Sequence, residues 1–462
     1  MNPDRYTYFY FIGIGGIGMS ALARYFKTLG KEVAGYDRTC TLLTKKLESE
    51  GIPVTYHEDI QEVPPAFLTD PSKTLVIFTP AVPGNHKALQ WFREHSFQVI
   101  KRSDLLGAVF NQSMGVAIAG THGKTTVSTL TAWLLHNEGK RISAFMGGIS
   151  RNFQSNLVLT PESEFVVAEA DEFDRSFLKL FPSVAVITSM DPDHLDIYET
   201  QEAVRNAFFE FAENIKPGGI LVLREGLPMR ETVAKERKVY RYGFDPGSDF
   251  AALSCRKTES GHMFDLKTPE GIIEGFEIRL PGKANLENAV AALAACFACG
   301  TSVDKLHRAL AKFEGVQRRF DIRIDTPGLA YVDDYGHHPE EIKAFISAMR
   351  DRFPGRHLTG IFQPHLYTRT RDFADGFAES LSGLDRLILL DIYPARELPI
   401  PGVDSGMIFK KVMLNDKYLS TKEELPALLE TLNLDVVATM GAGDIDTLVE
   451  PLTDMLTKRI AP

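Results

Sequence analysis

Cysteine is scarce in this chain of 462 residues, and so is tryptophan: there are four of the first and two of the second. Four thiols cannot frame a chain of this length, which points to a reducing compartment, the cytoplasm, rather than to a disulfide-built secreted protein. Cys296 and Cys299 form a lone C-x-x-C in an alanine-rich stretch. No second pair or histidine set completes a zinc site there, so they read as buried thiols. Positive charge is also short, with 51 Lys and Arg against 61 Asp and Glu and a net charge of −10. That balance argues against a general nucleic-acid binder, which needs a basic surface, but leaves room for a small anionic substrate in a local pocket. No apolar run approaches the length of a membrane span, so no membrane partner is expected. The amino terminus, MNPDRYTYFYFIGIGG, lacks a basic region and runs straight into a folded motif, so it does not read as a signal peptide. Internal repeats and low-complexity tracts are missing too.

What is present is 44% hydrophobic and 24% charged residues, a composition of globular domains, over a length that calls for two to four of them. The stretch around which the rest is arranged is Gly120-Thr121-His122-Gly123-Lys124-Thr125-Thr126. The apolar run 116–119 leads into it as a strand, and 125–136 leaves it with helical spacing. A strand, a glycine turn and a helix make a phosphate cradle: backbone N–H groups and the helix N-terminus face the anion. Lys124 suits the β and γ phosphates and Thr125 a magnesium ion. The loop is shorter than the common nucleotide motif, since Ile118 stands where its first glycine would fall.

Upstream, a strand at 8–12 runs into Gly13-Ile14-Gly15-Gly16-Ile17-Gly18, followed by a helix over 19–29, a strand at 32–35 and Asp37. This spacing predicts a diphosphate at a helix N-terminus with a carboxylate near a ribose or base. It does not distinguish NAD from another nucleotide. Further strands at 74–79 and 98–100 complete an α/β unit, with a boundary near 106–110.

Downstream of the phosphate loop, strands at 165–168 and 184–189 deliver Glu169-Ala-Asp171-Glu172-Phe-Asp174 and Asp191-Pro-Asp193-His194-Leu-Asp196. Ligands of parallel sheets sit at the carboxyl ends of strands, so these acids should converge on the Lys124 loop. Glu169 and His194 are read as magnesium ligands beside a triphosphate. A helix over 202–215, short strands with hairpin turns over 220–280 and an alanine-rich helix opened by Asn285 and Asn288 follow. An amide facing an adenine edge and an N-cap both fit those asparagines. Arg318 and Arg319 either touch phosphates or bridge domains. From about 323 a third α/β unit has four strands, at 329–332, 358–362, 387–390 and 436–440. Each ends in a polar cluster, including Asp333-Asp334-Tyr335-Gly-His337-His338 and Gln363-Pro-His365-Leu366-Tyr-Thr-Arg369-Thr-Arg371.

Together GIGGIGMSALA (13–23), AGTHGKTT (119–126), EADEFD (169–174), DPDHLD (191–196), GVQRRFD (315–321), DDYGHHP (333–339), FQPHLYTRTRDF (362–373) and MGAGDI (440–445) resemble the Mur ligase family of ATP-dependent amide-forming enzymes. The resemblance spans essentially the whole chain. It implies an α/β protein of three domains. A Rossmann-like domain over 1–108 would bind a UDP-sugar, and a central P-loop-type ATPase domain with a mostly parallel sheet would cover 109–322. A mobile Rossmann-like domain over 323–462 would bring the amino acid. By the same resemblance Gly13 to Gly18 (Gly13, Gly15, Gly16, Ile17, Gly18) hold the UDP diphosphate, with Asp37 near the uridine and no nicotinamide. Lys124 and Thr125 grip ATP and magnesium, Glu169 completes one metal site, and His194 the second. Asn285, Asn288 and Arg319 attend the nucleotide, and Asp333 or Asp334 its ribose. Tyr335, His337, His365 and Arg369 line the amino-acid pocket, with His337 or His365 accepting the amine proton.

The substrates so implied are UDP-N-acetylmuramate and L-alanine, joined through an acyl phosphate. The alternative is a recycling ligase that adds a tripeptide to the same UDP-sugar. An NAD-dependent oxidoreductase would leave GTHGKTT idle. A monomer or homodimer is expected. Two departures stand out: Leu366 replaces the arginine usual after the FQPH histidine, and no lysine lies between His194 and Lys216 to be carbamylated. Replacing Lys124 by alanine is expected to abolish activity and leave the fold intact.

Overall fold

A computed structural model describes residues 2–192, 195–198, 200–395 and 397–460 of the chain. It is an α/β protein with three sheets. In the first sheet the strand Tyr8–Ile12 lies between Glu32–Tyr36 and Thr74–Phe78, with Val54–Thr55 and Gln98–Lys101 at the edges. All of these pairs are parallel. The chain winds one way from the central strand and then the other, so the loop after Ile12 opens at the switch point, where such sheets bind ligands. The helix Ile17–Thr28 begins there, after a turn of residues 13–16 that holds three glycines.

The second sheet has ten strands. At its centre Met114–Ala119 is flanked by Phe165–Glu169 on one side and Val184–Ile187 on the other, both parallel to it. That order explains why two acidic segments meet one phosphate loop: they leave the strands on either side of it. Between 220 and 280 the structure departs from a run of hairpins. Ile220–Arg224 and Lys238–Gly243 are parallel, and a short helix, Glu231–Glu236, crosses between them. The third sheet carries an antiparallel edge strand, Asp321–Asp325, on Ala330–Asp334, followed by a parallel set.

By its contacts the chain divides into two compact units. The first holds residues 1–254, 264–276 and 287–313, and therefore the first sheet and most of the second. The second holds residues 255–263, 277–286 and 314–462. Within the first unit a single buried apolar cluster runs from Phe9, Phe11 and Leu22 to Ala117, Phe145 and Phe208. The fully buried Asn156 amide reinforces it, donating to the carbonyl of Ile17 at 2.6 Å and to Ser20 Oγ at 2.9 Å. Arg24 bonds the same asparagine and pairs with Glu50 at 2.6 Å. The boundary expected at 108 falls inside the helix Arg102–Phe110, and that at 322 inside the strand Asp321–Asp325.

Cys296 and Cys299 lie buried in the helix Lys283–Ala298 and just beyond it. Burial pushes both thiols up, Cys299 to about 12, so neither is a nucleophile. No helix among the described residues is long and apolar enough to cross a membrane.

Candidate active site

The phosphate loop is built by its glycines. Gly120 has φ +133°, and a Cβ there would fall 2.1 Å from Thr188 Oγ1. Gly123 has φ +83° and opens the helix Lys124–Asn137 with no side-chain cap, leaving the first N–H groups directed at the loop mouth. A Cβ on Gly123 would meet Asn288 Oδ1 at 2.6 Å, so the Asn288 amide lies against the loop. Asn285 points elsewhere, donating to the carbonyl of Pro281 at 2.8 Å, which is a helix-start bond. The loop is laced to the neighbouring strand end. Thr121 Oγ1 donates to the carbonyl of Asp191 at 2.9 Å and His122 N–H to Ser189 Oγ at 2.8 Å, while His122 Nε2 lies 3.5 Å from Asp191. Thr126 is buried beneath.

Lys124 and Thr125 face the acids of Phe165–Glu169 and the turn beyond it. Thr125 Oγ1 donates to Glu169 Oε2 at 2.9 Å. Glu169 fits because Gly147, opposite, has no Cβ: one built there would come 1.7 Å from Glu169 Oε2. Lys124 Nζ donates to Glu172 Oε2 and Oε1 at 2.8 and 2.9 Å and to the carbonyl of Gly120 at 2.7 Å. Burial works against the Lys124 charge, but Glu172, Asp171 and Glu169 outweigh it and hold the ammonium above its ordinary range. Asp171 accepts the N–H of Phe173 and stands 3.8 Å from Arg102.

Glu172 and Gly147 are the residues that sequence reasoning passed over. Glu172 is one acid among several in EADEFD, and nothing in the string marks it as the buried one. A hydroxyl and a carboxylate in contact at the mouth of a phosphate loop are oxygen donors suited to magnesium. His194, expected as a further ligand, lies outside the described residues. Among the described residues no group of three or more His, Cys, Asp or Glu is gathered as a metal site.

In the first sheet Gly13 has φ +89° and lies against Thr79 and Val82. The Asp37 carboxylate accepts the Gly15 N–H at 2.8 Å and the Thr39 N–H at 3.0 Å. Asp37 thus shapes the glycine turn itself, a role the spacing did not suggest. Gly16 caps the helix start, where Ile17 and Gly18 follow, and a Cβ on Gly18 would strike the Arg102 guanidinium at 2.6 Å.

The second unit gathers Tyr335, His337, His365 and Arg369. The Tyr335 and His337 rings are 5.2 Å apart, His337 and His365 6.1 Å, and His365 stacks on Tyr393 at 5.8 Å. Arg369 approaches His365 Nδ1 at 3.5 Å. Arg319 lies over the Tyr335 ring, 4.9 Å from its centre, and 3.9 Å from Glu341. Leu366 is buried at φ +71° and starts the short helix Tyr367–Asp372, so its position turns the chain instead of presenting a charge. Arg371 is taken up by its neighbour Asp372 at 2.7 Å.

Of the two aspartates expected near a ribose, Asp333 is fully buried, held by Arg318 at 3.1 Å and by Thr439 at 2.6 Å. Asp334 accepts the N–H groups of Phe320 and Gly336, both at 2.7 Å. Burial raises its carboxyl to about 6 against the lowering pull of Arg319. The folded carboxyl thus keeps its proton to higher pH than the unfolded one, at about 3.9. This group therefore makes stability fall as pH rises from about 4 to 6. Asp334→Asn should flatten that part of the curve. Equal pH slopes for the two proteins in urea unfolding would contradict it.

The sequence matches three family profiles in succession: "Mur ligase family, catalytic domain" over residues 8–113, "Mur ligase middle domain" over 118–296 and "Mur ligase, glutamate ligase domain" over 318–443. It is 48% identical over 453 residues to a UDP-N-acetylmuramate–L-alanine ligase of Christiangramia forsetii, covering 98% of each chain. It is 48% identical over 460 residues to the protein of that name from Parabacteroides distasonis, covering 100% of this chain and 99% of the other. Among solved structures it is similar to a UDP-N-acetylmuramate-alanine ligase of Thermotoga maritima, with a TM-score of 0.82 at 24% identity over 98% of this chain and 99% of that one.

Proposed function

The chain belongs to the Mur ligase family, and from that premise we propose that it joins L-alanine to the lactyl carboxylate of UDP-N-acetylmuramate at the expense of ATP, in the cytoplasm, as a step of peptidoglycan synthesis. The observation that carries this reading is full-length identity approaching half with relatives bearing that activity in their names, combined with a glycine loop whose Lys124 faces the buried Glu172 and whose Thr125 faces the half-buried Glu169.

A free carboxylate resists attack by an amine, so it must first be activated. In this reading the lactyl carboxylate attacks the γ-phosphate of ATP, ADP leaves, and the amino group of alanine then displaces phosphate from the acyl phosphate. Lys124 and the N–H groups at the start of its helix stabilise charge spreading over the transferred phosphoryl group. Magnesium, which Thr125 and Glu169 would hold, supplies further neutralisation of that charge. The glycine turn at 13–18 receives the UDP diphosphate. Tyr335, His337, His365 and Arg369 attend the amino acid, where an imidazole within reach of the amine takes its proton.

Phosphate release in the presence of ATP, magnesium and UDP-N-acetylmuramate should depend on L-alanine and remain at background with the tripeptide. Turnover with the tripeptide and none with alanine would replace this reading by the recycling one.

A further inference from the structure

We propose that Glu172, fixed in place by Tyr198, is a positioning residue for Lys124: it keeps the ammonium aimed across the phosphate loop while the nucleotide takes up one of its three N–H donors. The proposal rests on the ligase reading above and concerns a side chain that the motif logic left unassigned.

Three observations support it. The first is saturation. An ammonium has three donors, and here they face the Gly120 carbonyl and both oxygens of Glu172, all within 2.9 Å. A phosphate can enter only by displacing one of these acceptors. The second is burial. Glu172 is 2% exposed, so a nucleotide that drew Lys124 away entirely would take both of these charge-assisted bonds from a carboxylate inside the protein. The arrangement that avoids this keeps Lys124 on one Glu172 oxygen and turns a free N–H to the phosphate, which fixes the direction of the ammonium. The third is the mounting. Tyr198 donates its hydroxyl to the Glu172 carbonyl at 2.6 Å from the strand-end segment that also carries Asp191. Asp174 and Arg175, next along the turn, both hold φ +53°, a conformation that costs energy for residues with side chains and persists only where the surroundings impose it. Lys101 pairs with Asp174 at 2.6 Å and Arg175 lies over the Tyr198 ring at 5.4 Å, which supplies that imposition.

The test is steady-state phosphate release by Glu172→Ala, Glu172→Gln and Tyr198→Phe. A positioning role predicts a split. In Glu172→Ala kcat falls by about 100-fold, as for a misplaced catalytic group. The KM for ATP does not rise, because a negative charge near the polyphosphate has been removed. Glu172→Gln, which keeps an oxygen acceptor for the ammonium, recovers at least part of the lost kcat, and Tyr198→Phe loses several-fold in kcat alone. Unchanged kcat in all three, or a raised KM for ATP with kcat intact, would overturn the proposal. Should the alanine variant fail to fold, the glutamine and phenylalanine variants still decide it. Binding of ADP, which needs no acceptor sugar, separates the two claims. Unaltered protein that binds ADP without turning over defeats the ligase reading, whereas Glu172→Ala protein that loses ADP binding defeats the positioning role.

Discussion

Replacing Lys124 with alanine should cut turnover on the order of 1000-fold, the upper range for removing one preorganised donor to developing charge, and should also cost about 3–5 kcal/mol of stability. The second half revises the expectation, drawn from the motif alone, that the fold would be untouched. Lys124 is the counter-ion of a carboxylate that is 2% exposed, and both Glu172 oxygens lie within 2.9 Å of its ammonium. Deleting the cation leaves that carboxylate buried with much of its compensation gone. The double variant Lys124→Ala/Glu172→Gln separates the two effects, since it removes the buried charge while leaving the missing donor missing. Urea unfolding should show most of the stability restored, and phosphate release should show no recovery. If the single variant unfolds at the wild-type midpoint, the buried pair is not holding the loop. If it turns over normally, Lys124 is not at the phosphoryl group.

Gly147→Ala is the second large effect expected, about 100-fold in kcat, from a single methyl group. Gly147 lies opposite Glu169, where an added Cβ would stand 1.7 Å from Oε2 and 2.5 Å from Cδ, distances that no rotamer change of the methyl itself can relieve. The carboxylate must therefore swing away from Thr125 Oγ1, its present partner at 2.9 Å. Oxygen donors hold a divalent cation only at defined distances, so the variant should also need more magnesium for half-maximal rate. Gly328→Ala is the matched control, because nothing lies within 4 Å of a Cβ there. Measuring kcat against magnesium concentration for both variants decides the matter. Wild-type magnesium dependence in Gly147→Ala would remove Glu169 from the metal's surroundings.

The motifs were legible because they are local. A glycine turn at the switch point of a parallel sheet and a lysine at the head of a helix write their requirements into consecutive residues. Both the 13–18 turn and the 120–126 loop therefore bridge a strand end and a helix start. Asp37 shows the limit of such reading. The spacing offered a carboxylate near a ribose or base, and in the fold that carboxylate is bonded to the Gly15 N–H, a fact set by how the second strand of the sheet ends beside the first. Asp333 shows it again: the string offers two adjacent aspartates, and only the fold decides that Arg318 and Thr439 enclose one of them.

The sequence by itself determined the class of fold, the succession of three α/β domains and the place of the glycine loop between strand and helix, since each depends on residue patterns within one supersecondary unit. The tertiary structure alone decided which acid neutralises Lys124, which glycine makes room for Glu169 and how Asn156 ties the first sheet's helix to the second sheet. Those outcomes depend on burial and on pairs of residues up to 139 positions apart, where the free energy of a polar contact is fixed by what excludes water from it and not by its neighbours in the chain.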